Sequence, residues 1–186
     1  MLKLSVAGGA VLAVGGGALA FLSWGYEEKL GAYDRPIALS AKELAVARAL
    51  VEALLPGGGG LPRGLDLGIT QRVDEEVWAA EPAVAAQLKQ ALQLLEHLPL
   101  AFGRVSRFTS LSRREREDVF AEMLRSDRDT VRQVAITFRQ MLHLLYYGDR
   151  LTWSAMRYDG PLGIPARPPV SHTAYARLLA RTRVAP

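Results

Sequence analysis

The chain has 186 residues, a net charge of +4, 49% apolar and 23% charged residues, and no cysteine. At roughly 150 residues per domain this predicts one domain, long enough to bury a core. The missing cysteine excludes a disulfide scaffold, a thiolate metal site, an iron–sulfur cluster and a thiol nucleophile. Nineteen of the 23 basic residues are arginine, but acidic residues are spread along the chain, so no nucleic-acid partner is expected.

Leu4 to Trp24 carries no charged residue. A stretch of that length can just span a bilayer's hydrocarbon core. Gly8, Gly9, Gly15, Gly16 and Gly17 sit among its alanines, valines and leucines. One reading is a transmembrane helix whose small residues let a neighbour approach closely. Another is the apolar region of an export signal, with Ala18-Leu19-Ala20 as a small-x-small cleavage site. A buried helix of a soluble domain is a third. Lys3 lies before the stretch, and Glu27, Glu28, Lys29 and Arg35 follow it, a weak asymmetry for orientation. Met1-Leu2-Lys3 and the Gly/Ala-rich run resemble a twin-arginine signal without its arginine pair. Residues 1–25 are thus expected to be an N-terminal hydrophobic helix, serving as export signal or membrane anchor.

Residues 26–39, with Gly31 and Pro36, read as a linker. Ser40-Ala-Lys-Glu43 is a capping box, followed at helical spacing by Leu44, Ala47, Val51, Leu54 and Leu55. Pro56 and Gly57–Gly60 end that helix and begin a flexible loop. Ile69, Val73 and Val77 mark a short second helix. Pro82 opens a third, with Val84, Leu88, Ala91, Leu92, Leu95 and Leu98 as its stripe and Pro99 and Gly103 as its end. Ser112-Arg-Arg-Glu115 is a second capping box, before Val119, Phe120, Met123 and Leu124. Asp127 can cap a fifth helix carrying Val131, Val134, Phe138, Met141, Leu142 and Leu145, with Gly148 as its C′ residue. No alternating strand pattern competes, so the expected fold is an all-α compact bundle of about five helices over residues 40–162. Residues 163–186 form a Pro-rich C-terminal extension, with a short helix from His172 to Arg181.

The chemistry-bearing residues do not assemble into a recognisable active site. His97, His143 and His172 stand apart, and neither Glu-x-x-His nor His-Glu-x-x-His occurs. The glycine run follows a helix and precedes Pro62-Arg63, not the Gly-Lys-Ser/Thr of a phosphate loop. Asp74-Glu75-Glu76 and Arg113-Arg114 read as solvated helix faces. The richest cluster is aromatic: Tyr146, Tyr147, Trp153 and Tyr158, then Asp159-Gly160-Pro161. Such side chains either fold over the end of a bundle or anchor an interface. The Pro-rich run from Pro161 to Pro169 suits a segment lying along another protein.

Three phrases carry a family resemblance. Leu39-Ser40-Ala-Lys-Glu43 closing at Leu54-Leu55-Pro56 is the first. Arg107-Phe108-Thr109-Ser110-Leu111-Ser112-Arg-Arg-Glu115-Arg116 is the second. Tyr146-Tyr147 with Trp153 and Tyr158-Asp-Gly160-Pro161 is the third. In order and spacing, over about residues 39–162, they resemble the gluconate 2-dehydrogenase subunit 3 family. The sequence departs from that pattern in lacking an Arg-Arg pair, and in placing Gly57–Gly60 where a more acidic loop is expected.

The resemblance implies a non-catalytic small subunit of a membrane-associated dehydrogenase, without a cofactor or metal of its own. Its partner would be a large flavoprotein of the glucose-methanol-choline class carrying FAD, with a multihaem cytochrome c holding haem c as a possible third subunit. The expected location is the periplasm or the periplasmic face of the inner membrane. Phe108, Tyr147, Trp153 and Tyr158 are the expected partner anchors, and Arg107, Arg113 and Arg114 the charged rim that steers association. Two rival readings are a membrane-anchored structural or interaction protein without a redox partner, and an independent enzyme.

Overall fold

The computed structural model describes residues 25–160 and 170–182. The expected hydrophobic helix before Gly25 and the proline-rich stretch 161–169 lie outside the described residues. The described chain is all-α. Its helices are α1 (Ala41–Leu54), α2 (Ile69–Ala79), α3 (Pro82–Ala101), α4 (Arg113–Leu124), α5 (Asp129–Tyr147), the single turn α6 (Arg150–Trp153) and α7 (Val170–Thr182). Two 3-10 turns, Glu27–Lys29 and Phe108–Ser110, complete the set.

Helix α1 is the axis of the bundle and packs on α2, α3 and α4. Both α1 and α4 start as their sequences predict. The Ser40 and Ser112 hydroxyls accept from the backbone N–H of Glu43 and Glu115, and each glutamate side chain returns to its cap. The expected apolar stripe on α1 understates its burial, since Leu44, Val46, Leu50 and Val51 are all enclosed. Ala45, Ala47, Ala49 and Ala53 keep the rest of the cylinder thin, so neighbours close in from several sides. Phe138, Leu142 and Leu145 of α5, with Val119, Phe120 and Met123 of α4, fill the same core.

Several local expectations change. Helix α3 continues through Pro99 to Ala101. It closes in a Schellman motif: Arg104 N–H donates to the Pro99 carbonyl at 3.0 Å and Gly103 N–H to that of Leu100 at 3.2 Å. The turn therefore needs the left-handed Gly103, and Pro99 costs only a hydrogen bond one turn from the end. Asp127 does not cap α5; its N-cap is Arg128, without a side-chain cap. Gly148 ends α5 at φ −72, so it is not a left-handed C′ residue. Gly57–Gly60 form an ordered turn rather than a loose loop. All four have positive φ, and Gly58 and Leu61 exchange two backbone hydrogen bonds. Only glycine takes four such conformations in succession without strain.

The largest correction concerns residues 26–39. They are a strap built into the bundle, not a linker: Tyr26 and Leu39 are buried. Two buried carboxylates hold the strap. Asp74 of α2 accepts from the backbone N–H groups of Ile37, Ala38 and Leu39, at 2.7 Å for Leu39. Glu96 of α3 accepts from the Tyr26 hydroxyl at 2.7 Å, and from the Thr109 N–H and hydroxyl at 3.0 and 2.8 Å. The acidic run 74–76 is therefore not one solvated face. Asp74 is buried, Glu75 is half-buried beside His172, and only Glu76 is exposed.

Candidate functional site

Past α5 the chain makes a sharp elbow that gathers three of the seven predicted contact residues. The Asp149 side chain accepts from Leu151 N–H and starts α6. The Tyr158 N–H then donates to the Trp153 carbonyl at 2.9 Å, and the Arg157 N–H to that of Ser154 at 3.1 Å. This is a second Schellman closure, with Arg157 at φ 54 in the place glycine usually takes. Such closures bring the side chains at their two ends together. Here those are Trp153 and Tyr158, whose rings meet edge to face at 5.2 Å. The Trp153 indole N–H donates to the Tyr147 carbonyl at 3.0 Å, tying the pair to the end of α5. Gly160 lies against the indole: a Cβ there would come within 2.6 Å of the ring.

The elbow leaves much apolar surface in water. Leu144 is 76% and Leu151 69% exposed, and Tyr147, Met156 and Tyr158 are also exposed. Beside it lies a shallow groove of about 110 Å³ lined by Leu54, Pro56, Leu61, His143 and Tyr147. Burial, and to a lesser degree the nearby Arg139 guanidinium, push the His143 pKa below the usual histidine value. A neutral His143 suits an apolar rim. The groove shares Leu55 and Pro56 with a second cleft lined by Arg63 and Arg113, so Arg113 stands near the elbow as a rim charge. Arg113 also faces Glu117 one turn along α4, and Arg114 is exposed.

Phe108 is not an anchor. It is fully enclosed in the core, where the 108–110 turn inserts it against α1 and α3. Arg107 is half-buried, and its guanidinium donates to the Tyr26 hydroxyl at 3.1 Å. It belongs to a basic cluster at the opposite end of α1, where Lys42 lies 6.0 Å from the Tyr26 ring centre. From Lys42 to Leu54 α1 rises roughly 18 Å, so the predicted contact residues divide between two separate surfaces.

The polar residues that sequence reasoning missed are Tyr26, Asp74, Glu96 and Tyr175. Burial, then the hydrogen bond to Glu96, pushes the Tyr26 pKa up to about 12. Burial and the hydrogen bond to Asp74 push Tyr175 up as well. Tyr175 of α7 donates to Asp74 and packs on Trp78 at 5.8 Å between ring centres, which docks α7 on α2. Among the described residues, no group of three or more His, Asp or Glu side chains is placed to hold a metal ion. No described helix is long and apolar enough to cross a membrane. The chain matches no family model, no curated protein and no solved structure.

Proposed function

We propose that the chain is an accessory subunit that binds and stabilises a flavin-dependent dehydrogenase of the cell envelope, with substrate oxidised on the partner's FAD and a cytochrome c subunit as a further partner. The observation that carries this reading is the apolar elbow. Leu144, Tyr147, Leu151, Met156 and Tyr158 are left in water where α5 turns into α6 and beyond, next to a groove and the Arg113 rim. Monomeric proteins seldom leave large contiguous apolar surface uncovered. Aromatic residues held in fixed rotamers are the side chains that anchor protein interfaces. The three phrases resembling the gluconate 2-dehydrogenase subunit 3 family supply the identity of the partner. Arg113 and Arg114 would raise the association rate more than the affinity. The uncharged stretch 4–24 would direct the complex to the membrane or across it.

The test is recovery of a tagged chain from host membranes and periplasm, with a visible spectrum of the product. A stoichiometric large subunit with flavin absorbance is expected, and its loss in the Trp153→Ala/Tyr158→Ala variant with unchanged helical content. A colourless chain recovered alone under gentle extraction would overturn the reading in favour of a membrane-anchored structural protein. Turnover by the purified chain alone would replace it with an enzyme.

A further inference from the structure

The described chain begins at Gly25, in an open cleft of about 400 Å³ lined by Gly25, Tyr26, Lys29, Val105, Arg107 and Ser110. Two cations line it, Lys29 and Arg107, and a third, Lys42, lies against the Tyr26 ring beside it. Among the described residues none of them forms an ion pair with a carboxylate. Lys29 donates to the Thr109 and Ser110 hydroxyls, each at 2.9 Å, Lys42 faces His97 at 3.2 Å, and Arg107 donates to Tyr26. The buried carboxylate nearby, Glu96, already accepts from Tyr26 and Thr109. Burial lowers the pKa of both lysines; Glu96 opposes this and Arg107 adds to it. Ser110 accepts from Lys29 and so keeps its own O–H to donate. The cleft thus offers an ammonium, a guanidinium and a hydroxyl around one open space, the donor set that suits a phosphate group.

Two further observations decide the source of that phosphate. Val105, on the cleft wall, is 98% exposed, and Leu100 at the end of α3 is exposed too. In the sequence, Gly25 directly follows Leu4–Trp24, an uncharged stretch of membrane-spanning length. We propose that this cleft seats the phosphate of an anionic phospholipid headgroup, with Lys29, Arg107 and Ser110 on the phosphate and Val105 against the acyl boundary. The site lies at the other end of α1 from the elbow and does not depend on a flavoprotein partner.

The test titrates the full chain in a mild non-ionic detergent with dihexanoyl phosphatidylglycerol, dihexanoyl phosphatidylcholine and inorganic phosphate. Phosphatidylglycerol is expected to bind most tightly. Lys29→Gln/Arg107→Gln is expected to weaken it roughly tenfold to thirtyfold, as expected for two basic groups at a lipid surface. Val105→Asp, at a position too exposed to disturb the core, is expected to weaken the lipid and leave inorganic phosphate unchanged. Equal affinity for the two lipids would overturn the proposal, as would a Val105→Asp variant that binds phosphatidylglycerol like wild type. Inorganic phosphate binding as tightly as phosphatidylglycerol would make this a soluble-phosphate site instead.

Discussion

Tyr26 and Glu96 stand 70 positions apart in the chain, yet the phenol donates to the carboxylate at 2.7 Å in the interior. That one contact joins the start of the strap to α3, and through Thr109 it also fixes the turn that places Phe108 in the core. Replacing Tyr26 by Phe removes one of three donors to Glu96 and is expected to cost about 1 kcal/mol. Glu96→Leu removes the acceptor of three donors at once, the Tyr26 O–H, the Thr109 N–H and the Thr109 O–H, although Arg107 and Lys29 still donate to the two hydroxyls. It is expected to cost about 3 kcal/mol or more, at about 1–3 kcal/mol for each buried donor left without its acceptor. Urea denaturation of both variants checks the ratio; equal losses would show that the carboxylate is not the hub.

The same contact sets a pH response. The folded Tyr26 pKa of about 12 lies above its ordinary value of 10.0, so the folded state keeps the phenol proton longer than the unfolded chain. Its contribution is complete below pH 10 and is lost as the pH rises from 10 towards 12. Denaturation midpoints are expected to fall across that window, and less steeply in Tyr26→Phe. Ultraviolet titration of tyrosinate should find one fewer late-deprotonating phenol in the variant than in wild type, with Tyr175 still late in both.

Asp74 offers an independent check on the strap. Asp74→Ala leaves three backbone N–H groups and the Tyr175 hydroxyl without their acceptor. A loss of about 3 kcal/mol or more is expected. Hydrogen exchange should quicken at Ile37, Ala38 and Leu39 and along α7, while the amides of α5 keep their relative protection. Uniform acceleration everywhere would mean that the strap and the bundle open as one unit.

The helix starts are expected to behave additively. Ser40→Ala and Ser112→Ala each remove a cap and should cost about 1 kcal/mol. The double variant should lose the sum, because the two caps share no hydrogen-bond partner. A double loss well short of the sum, in thermal or urea melts, would contradict independent helix starts.

At the elbow, Arg157 holds a left-handed conformation that disfavours any side chain. Arg157→Gly is expected to stabilise the protein by up to about 1 kcal/mol, since that conformation costs roughly 1–2 kcal/mol in an L-residue. Glycine's greater unfolded-state freedom takes back part of the gain. Gly160→Ala should do the reverse and push the Trp153 indole aside, visible as a shift in its fluorescence. An unchanged emission maximum would show that the indole is not seated as described.

What was legible in the sequence was local. Ser40/Glu43 and Ser112/Glu115 declare themselves because a cap and its partner are three residues apart. Ile69, Val73 and Val77 mark α2 because burial repeats with the helical turn. The strap reads as a linker because its stabilising contacts are long-range: Gly31 and Pro36 look like linker residues, and nothing near them points to Asp74 or Glu96. Those two carboxylates sit in helices where acidic residues normally face water, so Asp74 reads as the start of a solvated run. Phe108 reads as an anchor only through the resemblance of the phrase it sits in, and the 3-10 turn aims it inward. The aromatic elbow was half visible: Trp153 and Tyr158 stood out by type, but their pairing follows from a helix-ending turn whose left-handed residue is an arginine.

The strap also imposes an order of events during synthesis. Residues 37–39 leave the ribosome before Asp74, which accepts their hydrogen bonds, and Tyr175, which closes over Asp74, comes another 101 positions later. At roughly 5–20 residues per second, that last interval is on the order of 5–20 s. The first described segment of the chain is thus among the last to be secured. Any factor that engages residues 4–24 as they emerge does so while the strap behind them still lacks its final latch.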